Sequence, residues 1–228
     1  HVATIGGNRG ENAGGPRGLK YGVTKDYVIG LEVVTPEGHI IRTGGRTIKN
    51  VTGYDLTKLI VGSEGTLGVI TEATLRLIPK PPARKTMMAV FADLPTSGTA
   101  ISKVLRSGIL PAKIELMDQA SIRAVEQFQP MGLPIDAAAI LLIELDGHPK
   151  AIQEEMEKTN HILTELGAKE TIVAQTEEEA ERLWKARKLV SPAIAKIKPT
   201  KISEDATVPR SKIPEMIQRL NQIKEKYQ

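Results

Sequence analysis

Between residues 69 and 78 apolar and polar positions alternate, with Val69, Thr71, Ala73, Leu75 and Leu77 on one side and Ile70, Glu72, Thr74, Arg76 and Ile78 on the other. A period of two predicts a strand, entered from Gly68 and closed by Pro79. Residues 27–43 read as a hairpin: an apolar run over 28–34 meets Thr35-Pro36-Glu37-Gly38 before Ile40 and Ile41. Proline presets that turn and glycine supplies the positive φ. Pro79-Lys80-Pro81-Pro82 cannot continue a ladder and favours stiff, extended backbone, so a domain boundary is expected there, dividing 1–82 from 83–228. Beyond it the period switches repeatedly between two and 3.6. Strands are predicted over 86–91, 113–117, 137–145, 170–174 and 202–208. Helices are predicted over 96–107, 120–127, a long stretch ending at 166, 177–195, and 211 to the end. Ile152, Met156, Thr159, Leu163 and Leu166 share one helical stripe, with Gly167 placed to end it. Thr176 with Glu179 fits a capping box, and Ile213, Met216, Ile217, Leu220, Ile223 and Tyr227 recur at helical spacing in the last helix.

Composition narrows the function. The 228 residues are enough for one large or two small domains. The absence of cysteine excludes a disulfide scaffold, a thiolate nucleophile, Cys-ligated zinc and an Fe–S cluster held by these residues alone. A net charge of +4, with one Trp and two Phe, offers little for nucleic acid to bind or stack on. No apolar run approaches the roughly 20 residues of a bilayer span. Fifteen of the 20 glycines lie within the first 68 residues, so two kinds of backbone are joined here. The first residue is His1, nothing at that end resembles a signal peptide, and the last helix carries no C-cap signal. An internal piece of a longer protein is the expectation.

Candidate chemistry begins with Thr4-Ile5-Gly6-Gly7-Asn8-Arg9-Gly10-Glu11-Asn12-Ala13-Gly14-Gly15. Paired glycines with interleaved Asn let backbone approach a ligand and present N–H donors, although tight surface turns use the same residues. No Gly-Lys-Ser/Thr follows and no G-x-G-x-x-G sits between a strand and a helix, which removes the Walker and Rossmann routes to phosphate. A second cluster, Gly62-Ser63-Glu64-Gly65-Thr66-Leu67-Gly68, runs into the 69–78 strand. Farther on, Ala180, Leu183, Trp184, Arg187 and Ser191 share a helix face, so a guanidinium stands in a stripe expected to be apolar. A snorkelling arginine and a bidentate clamp on a carboxylate both fit that placement.

Together with Lys49-Asn50-Val51-Thr52-Gly53-Tyr54-Asp55-Leu56, the two glycine clusters resemble FAD-linked oxidases of the vanillyl-alcohol oxidase/p-cresol methylhydroxylase superfamily. Within it the likeness is to the glycolate oxidase flavoprotein subunit and its D-lactate and D-2-hydroxyglutarate dehydrogenase relatives. The resemblance covers essentially the whole chain. The fold it implies is α+β: the C-terminal part of an FAD-binding domain (1–82), a mostly antiparallel sheet subdomain, then the N-terminal part of a ferredoxin-like α/β cap (83–228) with an antiparallel sheet and helices.

The implied FAD contacts are Thr4, Gly6, Gly7, Asn8, Asn12, Gly14 and Gly15 along the cofactor, with Glu64, Gly65, Gly68 and Ile70 at its adenosine end. Tyr21-Gly22-Val23-Thr24 and Asp26-Tyr27-Val28 match the stretch that packs under the flavin loop. Arg187, in Trp184-Lys185-Ala186-Arg187, matches the family's carboxylate-binding arginine. Ser191 and Lys201 are weaker matches to further substrate contacts. The implied reaction is hydride transfer from a small 2-hydroxy acid to FAD, with electrons leaving to a quinone, a cytochrome or an Fe–S partner subunit.

The family's Arg-Gly-x-Gly loop and its histidine motifs, which supply the general base and in some members metal ligands, are absent from this sequence. None of His1, His39, His148 and His161 matches them, and His148 and His161 are expected on a solvated helix face. No catalytic residue and no metal ligand is therefore assigned, and these 228 residues alone are expected to be inactive. The expected setting is cytoplasmic, with peripheral attachment to the inner membrane open and an oligomer open. The competing reading is a noncatalytic module whose glycine loops bind a nucleotide-like ligand or a partner subunit.

Overall fold

The computed structural model describes residues 3–197 and 200–227, so His1 lies outside the described residues. The chain divides into two compact units, 1–80 and 81–228. In the first, two short helices, α1 (Ile5–Gly10) and α2 (Gly18–Tyr21), precede β1 (Val28–Val34), β2 (Ile40–Gly44), α3 (Leu56–Ile60) and β3 (Val69–Leu75). The sheet order is β2-β1-β3, antiparallel throughout. The hairpin forms as its turn residues dictate, with Gly38 at φ 85° and its N–H donating to the Thr35 carbonyl at 2.9 Å. Val28, Leu31, Val33, Ile60 and Val61 make a small core against which Ile70 and Ala73 pack.

The predicted strand over 69–78 stops at Leu75, and its simple alternation does not survive in the burial. Opposite the consecutive pair Glu32 and Val33 stand Glu72 and Ile70, so Thr71 is an extra residue in β3. Such a bulge turns Ile70 and Ala73 to one face and leaves Val69 and Leu75 exposed. Thr71 uses its position: its hydroxyl donates to Glu32 Oε1 at 3.0 Å, while Arg42 pairs with Oε2 at 2.5 Å. The Thr71 hydrogen bond first, then Arg42, holds the Glu32 carboxyl below its ordinary 4.5. A lowered folded-state value stabilises the fold above the unfolded pKa, and that contribution is lost as pH falls through the lowered value. Glu32→Gln is therefore expected to flatten the acid limb of stability against pH below about 4.5, measured by urea unfolding at several pH values, and an unchanged limb would refute the assignment.

Gly44 joins the sheet to α3. Its φ is +68°, and a Cβ there would stand 2.1 Å from the Ile29 carbonyl oxygen and 2.7 Å from Thr57 Oγ1. Gly44→Ala is expected to cost on the order of 3 kcal/mol, overlap adding to a left-handed strain of about 1–3 kcal/mol. At Gly38, where nothing lies within 4 Å of the same atom, alanine should cost the strain alone. Urea midpoints of the two variants make the comparison.

The second unit runs β4 (Ala83–Phe91), α4 (Leu94–Arg106), β5 (Lys113–Asp118), α5 (Gln119–Phe128), β6 (Ala139–Gly147), α6 (Pro149–Glu165), β7 (Glu170–Val173), α7 (Glu177–Ile197) and α8 (Ile213–Lys226). Its sheet, β5-β6-β4-β7, is wholly antiparallel, the ferredoxin-like order with α5 inserted between the middle strands. Alternate residues of β4 and β6 feed two cores. Met87, Ala89, Phe91, Leu141, Ile143 and Leu145 pack under α4 and α6, while Met88, Val90, Ile140 and Leu142 pack under α5 and α7.

Local signals set the helix ends. Asp93 and Asp118 accept the N–H groups of Thr96 and Ser121. After α6, Gly167 at φ 84° closes a Schellman motif, with its N–H bound to the Thr164 carbonyl and that of Ala168 to the Leu163 carbonyl. Thr176 Oγ1 accepts from the Glu179 N–H, and the Glu179 carboxylate reaches back to the N–H of Gln175, one residue before the strict box partner.

Two expectations are corrected. Residues 202–208 form no strand: Ile202 is exposed, the segment is interrupted by Ser203, Glu204 and Asp205, and no strand among the described residues lies beside it to complete a ladder. In α8 only Ile217 of the predicted stripe is buried, while Leu220, Ile223 and Tyr227 are exposed. Gly98 permits the contact with α4 that buries Ile217, since a Cβ there would lie 2.6 Å from Ile217 Cδ1. Among the described residues no helix is long and apolar enough to cross a membrane.

Candidate functional site

In the first unit the two glycine clusters are brought together by backbone. The Gly62 N–H donates to the Arg9 carbonyl at 3.0 Å and the Glu64 N–H to the Gly10 carbonyl at 2.9 Å. From the other side, Thr24 N–H and Oγ1 both donate to the Ala13 carbonyl, and the Lys25 N–H donates to Asn12 Oδ1 at 2.9 Å. The Thr4–Gly15 stretch is not a plain loop, as the sequence implied. Thr4 caps α1, its hydroxyl accepting from the Gly7 N–H at 3.0 Å, so Gly6, Gly7 and Asn8 are helical. The signal was legible in Thr4 as an N-cap, but helix propensity is outweighed by three glycines in six residues, which makes the helix a tertiary product.

The glycines separate by what demands them. Gly62 at φ 89° lies against Asn12 Cβ, and Gly68 is hemmed by the Val34 carbonyl at 2.7 Å, so the chain itself excludes side chains at both. Among the described residues, Glu64 and Asn12 are the two non-glycines with positive φ, at 52° and 53°, and Gly65 follows at 79°. The Ile70 side chain packs into the core, which leaves only its main chain for a ligand. Gly14 is exposed, and a Cβ there would meet only Val23, 3.0 Å from its Cγ1. Gly6, Gly10 and Gly15 have neither a positive φ nor any atom closer than 4.0 Å to a Cβ. Nothing among the described residues requires glycine at those three positions. In α1 the Arg9 Nε is buried and is the one described buried side-chain donor or acceptor without a hydrogen-bond partner. Glycines that the fold does not demand, in a stretch that also carries an orphaned guanidinium N–H, fit an anionic, extended ligand that comes close to backbone. Sequence reasoning missed Gly10 and Arg9, and glycines in excess of turn needs were the available signal.

In the second unit, the sheet face under α7 grades from apolar to charged in rows set by register. Val90, Ile140 and Met117 stand abreast, then Met88, Leu142 and Glu115, then Thr86, Glu144 and Lys113, then Arg84 and Asp146. Glu144 is 1% exposed and pairs with Lys113 Nζ at 2.6 Å. The Lys113 ammonium also lies 4.2 Å from the centre of the Trp184 ring, and the indole N–H donates to Thr86 Oγ1 at 3.1 Å. Arg84 pairs with Glu177 at the start of α7.

One turn beyond Trp184, Arg187 Nε donates to Glu115 Oε2 at 2.9 Å. Arg187 is thus neither core nor freely snorkelling. Its side chain is 39% exposed and that of Glu115 is 20% exposed. One further turn along α7, Ser191 Oγ accepts from Lys201 Nζ at 2.6 Å. The structure therefore joins Ser191 and Lys201, and places Arg187 on the same helix four residues before Ser191. His161 is exposed and pairs with Glu165 at 3.1 Å, and His148 and His39 are exposed and belong to neither cluster. Glu115 and Lys113, the anchors of this face, carried no sequence signal because register across three strands brings them here.

The sequence model of a family described as "FAD linked oxidases, C-terminal domain" matches residues 80–228, and one described as "FAD binding domain" matches residues 1–44. The chain is 50% identical over 226 residues to the glycolate oxidase subunit GlcD of Bacillus subtilis, covering 99% of this chain and 48% of that protein. It is 37% identical over 231 residues to a D-lactate dehydrogenase of Archaeoglobus fulgidus, covering 99% and 49%. The chain spans about half the length of the curated relatives it matches. Among solved structures, an alkyldihydroxyacetonephosphate synthase superposes with TM-score 0.75 at 21% identity, over 99% of this chain and 46% of that one. A substrate-bound p-cresol methylhydroxylase gives 0.52 at 18% identity, over 69% and 37%. These two likenesses concern the fold.

Proposed function

Because this chain belongs to the FAD-linked oxidases, we propose that it is part of an FAD-dependent oxidoreductase that oxidises a small 2-hydroxy acid of the glycolate or D-lactate type. The observation that carries the reading is that Gly6, Gly10 and Gly15 are open without any demand from the fold, in a stretch that also carries the orphaned Arg9 Nε. In this reading residues 1–82 are the rear of an FAD-binding domain. Thr4, Gly6, Gly7, Asn8, Asn12, Gly14 and Gly15 line one stretch of the cofactor, and Glu64, Gly65, Gly68 and the Ile70 main chain hold its adenosine end. Bound FAD supplies the two-electron acceptor for the hydride of the hydroxy acid.

Residues 83–228 are the front of a cap that recognises substrate. Arg187 takes the substrate carboxylate as a planar fork, and Ser191 with Lys201 adds a hydroxyl and an ammonium on the same side of α7. The histidine motifs that supply the group removing the hydroxyl proton in the family have no match in this sequence. In this reading the proton-accepting group comes from a segment outside these 228 residues. Electrons pass on to a separate acceptor subunit or carrier, a quinone, a cytochrome or an Fe–S protein, in keeping with a relative that is itself named as a subunit.

The test separates cofactor contact from folding. Gly10→Ala in α1 removes a backbone-entropy cost of about 0.5–1 kcal/mol and meets no neighbour, so the melting temperature should hold or rise. In the longer protein that contains this chain, Gly10→Ala and Gly15→Val should weaken FAD retention about tenfold or more, read from bound-flavin absorbance after gel filtration. A longer protein that binds no flavin, or full flavin retention in both variants, would overturn the reading.

A further inference from the structure

Resting on the proposed carboxylate clamp, we infer that Glu115 is the positioning residue for Arg187. A guanidinium offers two edges able to hold a carboxylate in parallel hydrogen bonds, one made by Nε with a terminal nitrogen and one made by the two terminal nitrogens. Glu115 makes a single contact, Oε2 to Nε at 2.9 Å, which removes the first edge from use. The terminal nitrogens make no hydrogen bond among the described residues. The second edge is thereby left for the substrate.

The anchor stands beside a packed cluster. Glu115 stands on β5 opposite Leu142, two residues from Lys113, whose ammonium is held by Glu144 and covers the Trp184 ring. Trp184 lies three residues before Arg187 on α7, so the base of the arginine and the carboxylate that orients its tip are fixed by one packed cluster. Stability alone does not account for the pair, since at 39% and 20% exposure it contributes little to folding. An arginine with long, mobile torsions gains most from being held before substrate arrives.

The test uses the flavin-loaded longer enzyme containing this chain. Glu115→Ala should raise KM for the 2-hydroxy acid about tenfold while kcat changes less than about threefold. Binding of propionate, which lacks the oxidisable hydroxyl, should weaken in parallel, read from the shift it causes in the flavin absorbance spectrum. Glu115→Gln keeps an oxygen that accepts from Nε and should return both readings to within about threefold of the native values. A lowered melting temperature with native KM and native propionate affinity in Glu115→Ala would overturn the inference. Arg187→Ala separates the two claims: if it raises KM while Glu115→Ala does not, only the positioning role falls, and if neither does, the clamp falls with it.

Discussion

Lys113→Met should destabilise the chain by about 3–5 kcal/mol, because it leaves the Glu144 carboxylate in the sheet interior without its ammonium. Lys113 is only 14% exposed at its side chain and Glu144 1%, so water does little to replace the lost partner. The same substitution removes the cation from the face of Trp184. The double variant Lys113→Met with Glu144→Leu should recover most of the loss, since two apolar side chains abreast in the register need no desolvated charge. Urea unfolding of the two single variants and the double one gives the coupling directly. A loss below about 1 kcal/mol in Lys113→Met would show that the pair behaves as a surface pair.

Under the proposed carboxylate clamp, Arg187→Lys in the flavin-loaded longer protein should lower kcat/KM for 2-hydroxy acids about 30–100-fold, or roughly 2–3 kcal/mol, mainly through KM. Lysine keeps the charge but presents a point donor where the guanidinium offers a planar fork. It also reaches less far and gives up the Nε bond to Glu115. The melting temperature should move little, the ion pair being partly exposed. Steady-state kinetics with native KM would refute the clamp.

Much of the second unit was legible because its cores alternate cleanly. Apolar stripes such as Ile152, Met156 and Leu163, with Gly167 behind them, set α6 before any tertiary contact is known, and the stripe is buried as its spacing requires. Where a signal depended on a partner it failed. The segment 202–208 reads as a strand in the sequence, yet a strand is a pairing, and no described neighbour pairs with it. The period over 69–78 was also correct locally and wrong globally. One bulged residue, Thr71, reverses which side of β3 meets the core, and that choice belongs to the register with β1.

The sequence by itself determined the glycine imbalance, the start of α7 at Thr176, the end of α6 at Gly167, and Arg187 as a charge in an apolar stripe. These are effects of backbone freedom, local hydrogen bonding and period, all carried by residues within a few positions of one another. Tertiary structure decided which glycines the fold requires and which it leaves open, since a missing Cβ has meaning only against what surrounds it. It also decided what Arg187 is attached to. Glu115 lies 72 positions away in the chain, and only the antiparallel register of β4, β5 and β6 beneath α7 brings Glu115, Lys113, Glu144 and Thr86 to one face.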